Sequence, residues 1–239
     1  PTTDPQAEAT ADLVTRLRDD VIPSVVGDRV DVKVGGLTAA ADDFAAYTAE
    51  RLPIFVGAVL VLSFLLLMLV FRSLLVPLKA VIMNSLSVSA TFGIIVLVFQ
   101  EGWGGRVLGL AGASEAIFVA VPVLVFAIVF GLSMDYEVFL LARIKEAFDR
   151  TGRNGPATME GLSATASTIT SAALIMLLVF GAFAFARVLM VQFIGFGLAL
   201  AVFLDATVIR MVLVPAFMHL AGRWNWWPGV KAEEPPPAP

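Results

Sequence analysis

The chain has 239 residues, 59% of them hydrophobic, and a mean hydropathy of +0.89. A soluble domain has about 45–50% apolar residues even when glycine is counted, so this composition indicates an integral membrane protein with a modest polar part. The chain has no cysteine and one histidine, which excludes disulfide frameworks and Cys- or His-cluster metal centres. A net charge of −4 without a long Lys/Arg tract argues against a nucleic-acid partner.

The polar part covers residues 1–51 and is predicted to be a small α/β piece. We expect an amphipathic helix around 7–21, a short strand at 29–34 where polar and apolar residues alternate, and a second helix from near Thr38. This piece is too short to bury a good core alone. Because the chain also begins without Met or a signal peptide, we expect a fragment of a longer protein whose partner elements lie upstream.

Apolar stretches dominate the membrane region 52–220, and each is long enough to cross a bilayer, which takes about 20 residues of helix. The predicted spans are 53–71, 80–99, 117–141, 161–183 and 190–215. The Gly-rich stretch 100–115, with Trp103, is typical of an interfacial loop. The Trp residues at 224–227 predict an aromatic belt, and the Pro-rich tail within 221–239 is predicted to be disordered.

The third span carries the strongest functional candidates, Asp135, Tyr136 and Glu137. A charge near mid-membrane costs roughly 3 kcal/mol on insertion scales, so such a residue usually faces a bundle interior or a water path. The alternative is that Asp135 already lies at the interface. Glu137 lies about 200° round the helix from Asp135, so the two acids cannot share a face. Whether Glu137 has a function stays open.

Polar residues also lie in three other spans. Asp205 and Arg210 are about 140° apart on an α-helix, so we expect each to pair with another helix, or Arg210 to reach the interface. Hydroxyl or amide side chains form one stripe in the fourth span, Ser163, Ser167, Thr170 and Ser171, and another in the second span, Asn84, Ser87 and Thr91. Helix packing is the favoured explanation of the second-span stripe. For the fourth-span stripe, packing and a hydrated proton path are equally good explanations.

The distribution of Lys and Arg predicts the orientation. If the link 142–160 is cytoplasmic, that face holds most of the positive charges near the spans, with Lys79 beside the first link. These are Arg72, Lys79, Arg143, Lys145, Arg150, Arg153, Arg223 and Lys231. The opposite loops hold Arg106 and Arg187. We therefore expect residues 1–51 outside the cytoplasmic membrane and the tail inside.

Intramembrane acids support proton chemistry, because desolvation favours the protonated carboxyl group and a change in its charge changes its partner. Tyr136 adds a hydroxyl that could donate to a carboxylate. A rhomboid-like protease is disfavoured because the one histidine, His219, lies at the end of the last span. A diaspartyl protease could share a proton between Asp135 and Asp205, but neither acid follows Gly-x-Gly. An ion channel or a structural membrane subunit stays open.

Several motifs resemble one transporter family. Residues 130–144, FGLSMDYEVFLLARI, resemble the signature of the MMPL (mycobacterial membrane protein large) family of the resistance–nodulation–division (RND) superfamily of exporters. Residues 205–216, DATVIRMVLVPA, and WNWW at 224–227 resemble its last helix and the exit from it. Residues 35–53 are similar to the end of its second extracytoplasmic domain. The resemblance covers nearly the whole chain.

The resemblance implies a fold of twelve membrane helices in two repeats. This chain would then be the C-terminal half, an all-α membrane protein with five transmembrane helices of an RND-type bundle after the end of an extracytoplasmic domain. The implied function is proton-driven export of lipids or other amphipathic molecules, without enzymatic activity or a cofactor. The partners would be the substrate, the membrane and the missing N-terminal half; oligomerisation stays open.

The resemblance also implies roles for particular residues. Asp135 and Tyr136 match a proton-relay pair that works with an equivalent pair in the N-terminal half. Asp205 and Arg210 match positions that support the relay. Further candidates for relay support are Glu137, Ser167, Thr170 and Ser171.

Overall fold

The computed structural model describes residues 8–27, 30, 32–105 and 120–228, and the regular structure in them is helical. The α-helices are α1 (Glu8–Arg16), α2 (Ile22–Val26), α3 (Leu37–Phe71), α4 (Leu75–Phe99), α5 (Ala120–Thr151), α6 (Asn154–Phe183), α7 (Leu189–Leu204) and α8 (Val214–Ala221). Two π-helical segments, Leu17–Val21 and Asp205–Leu213, join α1 to α2 and α7 to α8. A 3-10 turn, Gly222–Trp226, follows α8.

The predicted α/β piece is not supported, because the polar part is helical where it is described. Residues 30 and 32–35 connect α2 to α3 without forming a strand, while residues 29 and 31 lie outside the described ranges. An alternating stretch needs a neighbouring strand to take its backbone hydrogen bonds, and no described segment supplies one. The Arg18 guanidinium ties this part together instead, since it donates to Asp43 of α3 and to the Val34 carbonyl at 2.8 Å.

The second predicted helix and the first predicted span form one continuous helix, α3. Its backbone passes the predicted domain boundary at residues 51 and 52 without a break. Pro53 lies inside α3; proline removes one helical hydrogen bond, which a long helix can tolerate. The helix ends where Arg72 adopts a left-handed conformation with φ of 48°.

Within the described ranges, five helical segments are long and apolar enough to cross a membrane, as the hydropathy of the sequence predicts. They are Leu37–Phe71, Leu75–Phe99, Val121–Thr151, Asn154–Phe183 and Leu189–Ala221. The described part of every predicted span lies inside one of these segments, apart from Ala120, the first residue of α5. Residues 117–119 of the third span, residues 106–115 of the predicted interfacial loop and the predicted disordered residues 229–239 lie outside the described ranges.

Glycines lie at close helix contacts in the bundle, in which α5 touches α3, α4, α6 and α7. A Cβ atom on Gly161 of α6 would lie 2.5 Å from Ile144 Cγ1 and 2.9 Å from the Ile144 backbone nitrogen of α5. A Cβ on Gly195 of α7 would lie 2.5 Å from Phe183 Cβ at the end of α6. Small residues let membrane helices approach this closely, so α5, α6 and α7 form a tightly packed antiparallel series.

The predicted aromatic belt is divided between surface and core. Trp224 and Trp227 are exposed, whereas Trp226 is buried. The Trp226 indole stacks on Phe148 of α5 with ring centroids 5.2 Å apart, and its N–H donates to Asn154 Oδ1 at 3.2 Å. Trp226 therefore fastens the turn after α8 to the end of α5 and the start of α6.

Candidate functional site

The candidate site begins in Asp205–Leu213, called the π-helical segment from here on, where Asp205 and Arg210 form a buried ion pair. Arg210 Nη2 donates to Asp205 Oδ2 at 2.8 Å. The expectation that these two residues would not pair with each other is wrong, because a π-helix closes i→i+5 hydrogen bonds and brings residues five apart onto one face. Each residue also has the expected contact on another helix, since Asp205 bonds Ser133 and Arg210 lies over the Tyr136 ring of α5. The alternative that Arg210 reaches the interface is also wrong, because its side chain is buried.

A serine and an asparagine connect this pair to the neighbouring helices. The Ser133 hydroxyl of α5 lies 3.0 Å from Asp205 Oδ1 and 2.7 Å from Asn84 Oδ1 of α4. Asn84 Nδ2 donates to Glu137 Oε2 of α5 at 3.2 Å. The Asn84, Ser87 and Thr91 stripe thus faces the interior of the bundle, where Asn84 crosslinks α4 to α5.

A second buried ion pair, between Lys79 and Glu137, lies at the far side of Asn84. Lys79 Nζ is 4.0 Å from Glu137 Oε1, and the Lys79 side chain is 0% exposed. Neither of these two atoms has a hydrogen-bond partner among the described residues. The expected position of Lys79 beside the first link is wrong, because α4 begins at Leu75 and carries Lys79 into the bundle on its second turn. Glu137, whose role the sequence left open, lies inside the cluster.

Tyr136 borders the same cluster on the side of α6. The Arg210 guanidinium carbon lies 5.3 Å from the centre of the Tyr136 ring, within cation–π range. The Tyr136 hydroxyl donates to Met176 Sδ at 3.3 Å, so its partner here is a thioether and not a carboxylate. A cavity of about 20 Å³ lies beside Tyr136 and Asp205. It has room for about one water molecule.

Asp135 is placed away from this cluster. It is exposed on α5 while Glu137 is buried, as their angular separation predicts. The fourth-span stripe is exposed on α6 as well: Ser163, Ser167, Thr170 and Ser171. An uncovered carboxylate is unfavourable at membrane depth. The structure therefore brings Tyr136, Glu137, Asp205 and Arg210 together and leaves Asp135, Ser167, Thr170 and Ser171 outside the group.

Sequence reasoning missed Ser133 and Lys79. Ser133 lies four residues before Glu137, so the i, i+4 spacing could have placed both on one helical face. Lys79 carried no such signal, because a charge near a predicted helix end usually reaches the interface. Within the described ranges, no three His, Asp or Glu side chains converge as metal ligands. The cluster supplies paired charges and hydrogen bonds.

Comparisons with known proteins give a consistent family. The model of the MMPL family matches residues 2–238. The heme uptake protein MmpL11 of Mycobacterium tuberculosis is 46% identical over 224 residues, which is 94% of this chain and 23% of that protein. The mycolic acid-containing lipids exporter MmpL11 of Mycolicibacterium smegmatis is 42% identical over the same coverage.

The trehalose monomycolate exporter MmpL3 of Mycolicibacterium smegmatis is 37% identical over 198 residues, 83% of this chain and 19% of that protein. The chain therefore spans less than a quarter of the length of these relatives.

Proposed function

Because this chain belongs to the MMPL family, we propose that it is the C-terminal half of the membrane domain of a transporter that exports lipids or other amphipathic molecules. The proton-motive force supplies the energy. The relatives named above are transporters or uptake proteins by name, and a non-enzymatic role for this chain is part of the proposal.

The buried Asp205–Arg210 pair is the observation that carries the proposal. It lies in a π-helical segment within a helix long enough to cross a membrane. π-Helical segments are rare in proteins, and many of those that occur lie at functional sites. An ionisable residue at membrane depth is also a functional candidate by default. The adjacent cavity has room for about one water molecule, so it provides a place from which Asp205 can exchange a proton.

Protonation of Asp205 would change the packing around it. The neutral acid no longer compensates the buried charge of Arg210. Arg210 must then find another partner or move toward water, and the Tyr136 ring already lies beside it. Protonation of Asp205 would thereby displace the π-helical segment relative to α5.

The exposed face of α5 supplies the second part of the proposed relay. Asp135 is exposed there, and it needs a covering partner in a membrane. We assign that partner to the missing N-terminal half, with which Asp135 and Tyr136 exchange the transported proton. Ser167, Thr170 and Ser171 on α6 remain candidates for a supporting, hydrated path.

The proposed substrate class rests on the names of the relatives, and the size of the cavity beside Asp205 shows that such a substrate does not fit there. Two of the relatives are named exporters of mycolate-containing lipids, and one is named a heme uptake protein. A cavity with room for about one water is far too small for any of these amphipathic molecules. The charge cluster therefore handles protons, and the substrate passes elsewhere in the full-length protein.

The location and orientation follow the positive-inside rule. We propose a location in the cytoplasmic membrane, with residues 1–51 extracytoplasmic and the C-terminal tail in the cytoplasm. Oligomerisation remains a prediction. The diaspartyl protease alternative has little support, because Asp205 contacts Ser133 in the buried cluster while Asp135 is exposed.

The test is substrate-coupled proton flux in proteoliposomes containing the full-length protein and an imposed pH gradient. Asp135→Asn should abolish the flux, and Asp135→Glu should retain part of it, because glutamate keeps a titratable acid. Tyr136→Phe tests whether the hydroxyl is required. Glu146→Gln is the matched control, since Glu146 is an exposed acid near the end of α5 that pairs with Arg143, and it should keep full flux.

Each outcome separates the alternatives once all variants are shown to insert and fold equally. Equal flux in wild type and Asp135→Asn would remove Asp135 from the relay. Equal loss in Asp135→Glu and Asp135→Asn would indicate a packing role instead of proton carriage. Absence of flux in wild type would contradict the transporter proposal and return the channel and structural-subunit alternatives.

A further inference from the structure

The two buried ion pairs lie at opposite ends of one hydrogen-bonded bridge. Asp205 and Arg210 form one pair on the π-helical segment, and Glu137 and Lys79 form the other between α5 and α4. Between them, the Ser133 hydroxyl is 3.0 Å from Asp205 Oδ1 and 2.7 Å from Asn84 Oδ1, and Asn84 Nδ2 is 3.2 Å from Glu137 Oε2. The bridge thus connects three membrane helices.

The Ser133 hydroxyl has one hydrogen and two acceptors within reach, so it can donate to only one of them at a time. When Asp205 is ionised, its oxygens only accept, and the charge attracts the Ser133 hydrogen. When Asp205 is protonated at Oδ1, the acid donates to Ser133 Oγ, and the Ser133 hydrogen turns to Asn84 Oδ1. The direction of the hydroxyl therefore reports the protonation state of Asp205.

The Asn84 side chain passes this change on without carrying a proton. An amide accepts at oxygen and donates at nitrogen in both states. Donation to its oxygen polarises the amide and strengthens the bond from its nitrogen by about 10–30%. Asn84 Nδ2 donates to Met134 Sδ and to Glu137 Oε2, each at 3.2 Å, and the carboxylate is the stronger acceptor of the two. Protonation at Asp205 is thereby felt at the carboxylate of the second ion pair.

The second ion pair is open to such a change. Lys79 Nζ and Glu137 Oε1 are 4.0 Å apart, at the long end of the range for an ion pair, and neither atom has a hydrogen-bond partner among the described residues. Breaking or loosening a buried pair is costly, so a shift of the Glu137 carboxylate moves Lys79 with it. Because the two residues lie on α5 and α4, the contact between these helices changes.

We propose that Ser133 and Asn84 are positioning residues that couple the protonation of Asp205 to the Lys79–Glu137 ion pair. This coupling rests on one part of the proposed function, the uptake of a proton by Asp205. It makes the α4–α5 contact the place where protonation of the π-helical segment is converted into helix movement. In this coupling Lys79 and Glu137 are the responding pair, and they carry no transported proton.

The groups that face Asp205 agree with this assignment. Its own segment contributes Arg210, α5 contributes Ser133 and Tyr136, and α4 reaches it through Asn84. The described side chains of α6 that line the cavity at Asp205 are apolar or thioether groups, Ile169, Ala173 and Met176. The bridge therefore connects Asp205 to Glu137 through hydrogen bonds, with Lys79 as the charge beyond it.

The test is a pH titration of the full-length protein in lipid bilayers, followed by infrared difference spectroscopy of its carboxyl groups. Asp205→Asn identifies the band of Asp205, and Glu137→Gln identifies the carboxylate band of Glu137. In wild type, the Glu137 carboxylate band should shift over the pH range in which the Asp205 band titrates. Ser133→Ala should abolish that shift, and Ser133→Thr, which keeps a hydroxyl, should retain it.

The matched control is Ser87→Ala. Ser87 is a buried serine one turn beyond Asn84 on α4, and its hydroxyl oxygen has no partner among the described residues. This variant loses the same atom outside the bridge and should keep the Glu137 shift. Asn84→Leu, which removes both ends of the amide, should abolish it as Ser133→Ala does.

Three results would overturn the coupling: an Asp205 band that does not titrate, a Glu137 band that is unchanged while Asp205 titrates, or a shift that survives in Ser133→Ala. Uptake of a proton by Glu137 in the same range would overturn the claim that Glu137 carries no transported proton. The infrared titration requires no substrate. The proton-flux experiment in proteoliposomes therefore tests the proposed function separately, and its failure would leave the result of the infrared titration to decide the coupling.

Discussion

The buried pair Asp205–Arg210 gives the sharpest stability prediction, because an exposed pair of the same length is available as its control. Arg210 bonds Asp205 at 2.8 Å with both side chains buried, and Arg143 bonds Glu146 at 2.8 Å with side chains 51% and 70% exposed. Loss of one partner from a buried pair leaves an uncompensated charge and costs about 3–5 kcal/mol. Loss of one partner from an exposed pair costs about 1 kcal/mol or less.

Asp205→Asn and Arg210→Met should therefore each destabilise the protein by several times as much as Arg143→Met. The double variant Asp205→Asn/Arg210→Met removes both charges and keeps similar volumes, so it should recover much of the loss, with a coupling energy of about 2–3 kcal/mol. The measurement is denaturant unfolding of the purified full-length protein in detergent, compared through midpoints at equal slope. The reasoning is refuted if Asp205→Asn costs no more than Arg143→Met, or if the two single losses simply add.

Two packing predictions use the same unfolding measurement. Gly161→Ala should cost about 1–3 kcal/mol, because its Cβ would lie 2.9 Å from the backbone nitrogen of Ile144 and the helices must separate; Gly181→Ala in the same helix meets no atom within 4 Å and should not destabilise. Trp226→Ala should cost about 3–5 kcal/mol since the side chain is buried and stacked, whereas Trp224→Ala, at an exposed position, should stay within about 0.5 kcal/mol of wild type. Equal effects within either matched pair would contradict the contacts on which these values depend.

The helices that can cross a membrane were predictable from the sequence, because about 20 consecutive apolar residues favour the hydrocarbon core of a bilayer over water and hydropathy measures that preference. Their ends were less predictable. Apolar residues stop at the membrane surface, but backbone hydrogen bonding does not, and α3 runs on from Leu37 through Pro53 as one helix. The strand at 29–34 failed for a related reason, since alternation describes a strand only when a neighbouring strand is present.

The candidate site was predictable in its members but not in its pairing. Asp205, Arg210 and Tyr136 were identified as polar residues at membrane depth, and the separation of Asp135 from Glu137 followed from helical geometry. The Asp205–Arg210 contact was missed because the α-helical angle does not hold inside a π-helical segment. Lys79 was misplaced because composition cannot distinguish a lysine at a membrane surface from one directed at Glu137.

Tyr136 is the residue that relates the exposed acid to the buried cluster. It follows Asp135 directly in α5, and the Arg210 guanidinium carbon lies 5.3 Å from the centre of its ring. A carboxylate elsewhere in the full-length protein that drew Asp135 or the Tyr136 hydroxyl toward it would turn this ring and change the environment of Arg210. Because Arg210 also holds Asp205 at 2.8 Å, the buried ion pair would respond to events on the outer face of α5. The exposed face of α5 and the buried ion pair would then be linked through one aromatic ring, although α5 keeps Asp135 and Asp205 apart.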